Sequence, residues 1–242
     1  MGGLIDIHQH IIRAIDNEPP DWNEVTRMLE ASVSDGIQTV IATPHVMPGV
    51  VPFEWDEHYR RLEEINAYCA KRMLPLTVLS GAEILFTDSS IHFLQGRRVP
   101  TLNNSRYVLM EWQESIRGDA LLASIRDLAN AGYFPIIAHA ERYCCLVSDI
   151  RLIETLRSMF EVRLQVNCAS VLTRRRHAAK GAPARWLREG LVDYVATDAH
   201  NASTRPVNMA ACYEALMKTY GEGYADALSH DNQLEIVGPD YG

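Results

Sequence analysis

The sequence predicts an α/β protein of seven βα units, built as a (β/α) barrel or a doubly wound parallel sheet. Three observations carry this. Short apolar runs recur along the chain, amphipathic stretches separate most of them, and run after run ends in a histidine or a carboxylate. The runs are Leu4–His8, Gln38–Thr43, Leu76–Gly81, Tyr107–Glu111, Pro135–His139, Arg163–Asn167 and Asp193–Thr197. Each is largely apolar on both faces and rich in Ile, Val, Leu or Tyr, as strands covered on both sides are.

The helical stretches follow in order. Asp21–Asp35 opens with Asp21 and Glu24 as a capping box and gathers Trp22, Val25, Met28, Leu29 and Val33 near one face. Glu54–Arg72, Asp119–Ala131, Asp149–Phe160, Ala182–Glu189 and Ser203–Tyr220 read similarly. Gly36, Gly132, Gly190 and Gly221 stand where helices stop. Ile84–Val99 is less regular and reads as an excursion off the barrel.

The 242 residues contain no linker, repeat or low-complexity tract, so one domain over 1–242 is expected. A 47% apolar content suits a packed core. The longest apolar runs are about half a dozen residues, far below the roughly 18 that span a bilayer. Membrane insertion is not expected. Met1-Gly2-Gly3 starts like an acylation signal, but Asp6 stands where Ser or Thr is needed. The odd count of five cysteines and the lack of an export signal lead us to expect reduced thiols in a cytoplasmic protein, and with no C-x-x-C pair a structural zinc knuckle is not expected. Cys144 and Cys145 read as buried residues at a helix start. The net charge of −8 argues against a nucleic-acid partner but not against an anionic substrate, since bound metal ions reverse a local field.

Five of the nine histidines fall at strand ends. The first run ends in His8-Gln9-His10, the second leads to His45, the third to Glu83, and the fourth ends at Glu111. The fifth ends at His139 and the seventh leads to Asp198-Ala199-His200. One H-x-H is weak evidence, but six strand ends offering His, Glu or Asp are a metal site's pattern, because buried carboxylates are costly unless paired or metal-bound. Mixed imidazole and carboxylate ligands suit Zn, Mn or Fe, and their number exceeds the needs of one tetrahedral ion. Two or three divalent ions are expected, a cluster that activates water and clamps a phosphoryl or carbonyl oxygen.

These motifs resemble the polymerase-and-histidinol-phosphatase (PHP) superfamily and, within it, the CpsB/CapC family of bacterial protein-tyrosine phosphatases. The resemblance runs in order along nearly the whole chain. D-I-H-x-H is matched by Asp6–His10, A-T-P-H by Ala42–His45, G-x-E and an apolar residue by Gly81–Ile84, and an apolar strand ending in Glu by Glu111. A-H-x-E-R-Y is matched by Ala138–Tyr143, L-Q-x-N by Leu164–Asn167, and D-A-H-N with a downstream R-P by Asp198–Asn201 and Arg205-Pro206. The resemblance implies a distorted (β/α)7 TIM-like barrel, the PHP fold, with three metal ions, often manganese. It implies His8, His10, His45, Glu83, Glu111, His139, Asp198 and His200 as ligands. It also implies hydrolysis of phosphotyrosine on a phosphorylated tyrosine kinase of the capsule or exopolysaccharide assembly system. The chain departs from the family's I-D-D-G segment, reading Ile15-Asp16-Asn17-Glu18. Asp16 is taken as the ligand there, with Asn17 and Glu18 as alternatives.

Arg142 and Arg205 follow ligand segments. Each is either a surface partner of Glu141 or Asp198, or a bidentate clamp on phosphate; the resemblance favours the clamp. Arg174-Arg175-Arg176 read as a solvated basic patch, or as a dock for an acidic kinase tail. Cys168 and Arg174 satisfy C-x5-R, the signature of cysteine-dependent phosphatases, but no glycine between them would let backbone N–H groups curl around phosphate. Cys168 is read as structural. The rival readings are a PHP-type phosphoesterase for a small molecule such as histidinol phosphate, a metal-dependent nuclease or hydrolase, and a binding protein without turnover. No Lys lies between Lys71 and Lys180, which disfavours a carbamylated-lysine amidohydrolase.

Overall fold

The computed structural model describes residues 3–13, 19–173 and 178–238. Asp16, with Asn17 and Glu18, lies outside the described residues, as do Arg174–Arg176. The strands are β1 (Leu4–Gln9), β2 (Ile37–Ala42), β3 (His45–Val46), β4 (Thr77–Ser80), β5 (Glu83–Leu85), β6 (Tyr107–Glu111), β7 (Phe134–Ile137), β8 (Arg163–Asn167) and β9 (Tyr194–Ala196). Every pairing is parallel, in the orders β1-β2-β4 and β3-β5-β6-β7-β8-β9.

Nine segments make seven staves, because β2 continues into β3 and β4 into β5. The strands expected at Gln38–Thr43 and Leu76–Gly81 thus match β2 and β4, and their continuations β3 and β5 lie beyond the expected bounds. The first break falls at Thr43-Pro44, where proline cannot donate to a ladder. The second falls at Gly81-Ala82. A side chain at 81 would meet Ile41 Cγ2 at 2.6 Å, so only glycine lets the staves approach this closely. A parallel bridge between Gln9 and Ala199 closes the barrel at its mouth, with His10 N–H donating to Ala199 O and Asp198 N–H to His8 O, both at 2.9 Å. The 3₁₀ turn Leu102–Asn104 packs against both β4 and β6, where the two sheets part.

Period-2 alternation divides the core. Tyr107, Leu109, Ile136, Ala138, Tyr194 and Ala196 line the barrel floor with Ile5, Ile7, Ile41 and Leu79. Their strand neighbours Val108, Met110, Ile137 and Val195 face the helices. Fully burying one such aliphatic side chain contributes roughly 1.5–3 kcal/mol. The C-terminal turn Leu234–Val237 plugs the floor: Ile236 and Val237 are buried there, and Glu235 accepts hydrogen bonds from the Tyr107 and Tyr194 hydroxyls.

The helices mostly follow expectation: Trp22–Ser34, Trp55–Arg72, Gly118–Asn130, Ile150–Met159 and Ala178–Arg188. The last one begins late, at Met209 rather than Ser203, because Asn201 Oδ1 captures the backbone N–H groups of Ser203, Thr204 and Arg205. The capping box at Asp21 is half made. Asp21 accepts from Glu24 N–H, but the Glu24 carboxylate instead accepts from Ala202 N–H at 2.7 Å. The Ile84–Val99 excursion contains the short helix Ser90–Gln95. Among the described residues no helix is long and apolar enough to cross a membrane.

His58 ties helix Trp55–Arg72 to β4 through a 2.9 Å contact between its Nε2 and Ser80 Oγ. Burial pushes its imidazole from 6.5 down to about 4. As pH falls, the unfolded chain therefore takes up this proton before the folded one. The stability held in neutral His58 is complete above about 6.5 and lost on descending to about 4, about 3 kcal/mol in all. Replacing His58 with Gln is expected to flatten the pH dependence of urea unfolding across that window. An unchanged slope would assign the acid limb to other groups.

Candidate metal centre at the mouth of the barrel

On β1 the pairing register shifts between Asp6 and Gln9. The shift changes which parity faces inward: Ile5 and Ile7 line the floor, whereas His8 and His10 both reach the mouth, their Nε2 atoms 3.3 Å apart. Asp6, the first residue of the D-I-H-x-H segment, is absent from the three ligand groups. It accepts from Thr197 N–H and Oγ1–H and from Gln9 Nε2, stapling β1 to the end of β9, and burial pushes its carboxyl up to about 6.

His45 opens β3 and Glu83 opens β5, so the breaks in the second and third staves deliver both to the mouth. Glu111 closes β6. His139 and Asp198 follow β7 and β9 with φ of 35° and 51°, left-handed backbone that turns both side chains inward. Glu83 is the hub. Its Oε2 lies 3.3, 3.2 and 3.0 Å from nitrogens of His8, His10 and His45, and its Oε1 lies 2.7 Å from His139 Nε2. Glu111 reaches His45 Nδ1 at 3.6 Å and His139 Nε2 at 3.7 Å. Asp198 Oδ1 stands 3.4 Å from His8 Nε2 and 3.1 Å from His200 Nε2, and the His200 ring stacks on His10.

The eight ligands expected among the described residues thus converge on one mouth. Seven of them form three groups, His10 with His45 and His200, His8 with His10 and Asp198, and His45 with Glu83 and Glu111, and His139 joins through Glu83. A metal ion fits these residues. Glu83 Oε2 is buried without a hydrogen-bond partner while facing three imidazole nitrogens, and imidazole with carboxylate is a divalent transition-metal donor set.

The expected arginines also arrive. Arg142 Nη2 donates to Asp198 Oδ2 at 2.8 Å, and Arg205 Nη2 lies 2.7 Å from Asp198 Oδ1. Both therefore stand at the mouth as partners of Asp198, the paired alternative of the sequence reading. Asn201, through the turn it caps, carries Arg205 there, and Arg205 O accepts from His200 N–H at 3.0 Å. Asn201, Gln165 and Asn167 have no role in the sequence reading beyond their motif matches. Gln165 Oε1 contacts His8 Nδ1 at 3.1 Å, and Asn167 donates to Asp198 Oδ2 at 2.7 Å.

Cys168 is buried at the start of helix Cys168–Leu172, its thiol 3.6 Å from Met209 Sδ, and burial holds its pKa well above that of an ordinary thiol. It is structural, as expected. Cys144 and Cys145 do begin a helix, but Cys144 is exposed and Cys145 half-buried, since that short turn packs Cys145, Leu146 and Val147 against the core and leaves Cys144 outside.

At Glu83, Asp198, His8 and His45 burial opposes charge and the neighbours overrule it, whereas at His200 burial prevails and lowers the imidazole below its usual value. His8 and its companions hold Glu83 and Asp198 well below the usual carboxylate range. Those carboxylates in turn raise His8 to about 9, and Glu111 with Glu83 raises His45 to about 10. Without metal, protons supply the positive charge that the acids demand. Metal uptake requires neutral imidazoles and is expected to release protons at pH 7, and to strengthen as pH rises toward about 9. Calorimetric titration of manganese in buffers of differing ionisation enthalpy reads this directly. A buffer-independent heat would contradict it.

A parallel barrel with clustered imidazoles and carboxylates at its C-terminal mouth is the architecture of a metallohydrolase. The sequence model of the capsular polysaccharide synthesis family, CpsB/CapC, matches residues 4–238. The chain belongs to this family. Tyrosine-protein phosphatase YwqE of Bacillus subtilis is 30% identical over 237 residues, covering 96% of this chain and 91% of that protein. Tyrosine-protein phosphatase CpsB of Streptococcus agalactiae is 27% identical over 239 residues, covering 97% and 98%. A solved structure from the study of Bacillus subtilis YwqE and Streptococcus pneumoniae CpsB, described as unique metal-dependent tyrosine phosphatases, matches with a TM-score of 0.87 at 29% identity. It covers 97% of this chain and 94% of that one. The expected distorted barrel is thus observed, and of the two sequence alternatives the doubly wound sheet falls away.

Proposed function

We propose that this chain is a metal-dependent protein-tyrosine phosphatase whose substrate is a phosphorylated tyrosine kinase of a polysaccharide assembly system. The observation that carries the reading is the convergence of eight imidazole and carboxylate side chains on one barrel mouth, with Arg142 and Arg205 beside them. The activity of the relatives supports phosphotyrosine, and the family description supports the polysaccharide pathway. The ligands assigned are His8, His10, His45, Glu83, Glu111, His139, Asp198 and His200, for two or three divalent ions, manganese first and iron or zinc as alternatives. Asp16 is the further ligand proposed. We read 1–242 as one domain acting in the cytoplasm.

Divalent ions held there lower the pKa of a water and neutralise charge on phosphoryl oxygens. The chain's own residues do the rest. Arg142 and Arg205, brought together on Asp198, bind and orient the phosphate by charge-assisted hydrogen bonds. Their planar forks favour the trigonal arrangement of phosphoryl oxygens as the ester bond breaks. The turn after His45 exposes Met47, Val50 and Val51, apolar surface that suits an aryl phosphate and its flanking peptide.

Chelator-stripped protein is expected to release no phosphate from a phosphotyrosine peptide until manganese, iron or zinc is restored. His139→Ala is expected to abolish turnover, and Arg142→Lys or Arg205→Lys to lower kcat/KM on the order of 10²-fold. Cys168→Ser is expected to leave activity intact, and L-histidinol phosphate to be a poor substrate. Full activity in protein verified to be metal-free would sink the mechanism.

A further inference from the structure

One hydrogen-bond chain in the mouth has its direction set by a single backbone amide. Gln165, on β8, places Oε1 2.8 Å from the backbone nitrogen of His139 and 3.1 Å from His8 Nδ1. A backbone N–H only donates, so the carboxamide atom facing it is the oxygen, and that oxygen only accepts. His8 Nδ1 is therefore the donor. Neutral His8 then carries its proton on Nδ1 and its lone pair on Nε2, the nitrogen that faces Glu83 and Asp198. The other end follows from the same choice. Gln165 Nε2 donates to Asn167 Oδ1 at 2.8 Å, so Asn167 donates through Nδ2 to Asp198 Oδ2 at 2.7 Å. Asp198 Oδ1 is left facing His8, His10 and His200, with Arg205 Nη2 beside it. His8, Gln165, Asn167 and Asp198 are all buried, so the chain is shielded from competing water.

We propose that Gln165 is a positioning residue that selects the metal-binding tautomer of His8 and, through Asn167, presents Asp198 by its Oδ1. The proposal rests on the reading of this mouth as a metal centre. It accounts for the L-Q-x-N segment, since β8 contributes no ligand yet orients ligands from β1 and from the end of β9.

Two variants separate positioning from mere packing. Gln165→Met keeps the length and removes the acceptor. Gln165→Glu keeps an acceptor for both His8 and the His139 amide. Manganese and zinc affinities are measured by competition with a chromophoric chelator, beside the thermal midpoint of each metal-free protein. Gln165→Met is expected to weaken binding about 10–100-fold, and Gln165→Glu, which keeps the acceptor for His8 but loses the donor to Asn167, to weaken it by less than about 10-fold. Nitrogen NMR of the zinc-loaded wild type is expected to show the His8 proton on Nδ1. Wild-type affinity in Gln165→Met, equal weakening in both variants, or zinc on Nδ1 would overturn the proposal. Should Gln165→Met fail to fold, Gln165→Glu and the tautomer decide alone. A wild type that binds neither ion overturns the metal-centre reading, and this inference with it.

Discussion

Glu83 and Asp198 are carboxylates that the barrel takes out of water, and the character of everything around them follows from that. Each is nearly inaccessible, and an isolated buried carboxylate would protonate or unfold its surroundings. Glu83 instead meets four imidazoles, and Asp198 meets two guanidiniums, three imidazoles and a carboxamide. The surrounding positive charge is not decoration on a folded barrel. It is the condition under which this barrel can hold acids in its mouth, and a cluster of divalent ions meets that condition more completely than protons do.

The scaffold reaches this arrangement by departing from ideal geometry where ligands must turn inward. Left-handed backbone at a residue with a side chain costs on the order of 1–3 kcal/mol and persists only where surrounding bonds over-determine it. The two such residues at the mouth, His139 and Asp198, are so held. His139 N–H is bound by Gln165, and Asp198 N–H by His8 O across the closure of the barrel. The closure and the site are thus one structure: the bonds that seal β1 against the end of β9 also aim Asp198. Glu24 extends this outward, since its carboxylate forgoes its own helix start to hold the loop that supplies Arg205.

The residues that cluster at the mouth were legible in the sequence because each is announced locally, by a polar residue at or just beyond the end of an apolar run. The supports were not, because their partners lie far away along the chain. Gln165 reaches His8 and Glu24 reaches Ala202, and nothing near either residue foretells it. The continuations of two staves beyond Thr43-Pro44 and Gly81-Ala82 were missed for a related reason. Apolar runs report burial, which continues through a break, and not the ladder that the break interrupts. The delayed start of the last helix shows local competition instead, with one Asn side chain capturing the N–H groups that would have begun it.

The fate of the C-x5-R motif follows from the same alternation that builds the site. On β8, Gln165 and Asn167 join the polar mouth, while Leu164 and Val166 pack outward beneath the helices. Cys168 continues the outward set and packs against Met209. A nucleophile there would be separated from the arginines by the wall of the barrel, however well its spacing matched. The histidines of β1 make the complementary case: only because the register shifts at Gln9 do His8 and His10 enter the mouth above an apolar floor. Strand parity, with its local exceptions, decides which compartment a side chain enters. A motif becomes chemistry only on the side of the sheet where the other reacting groups are.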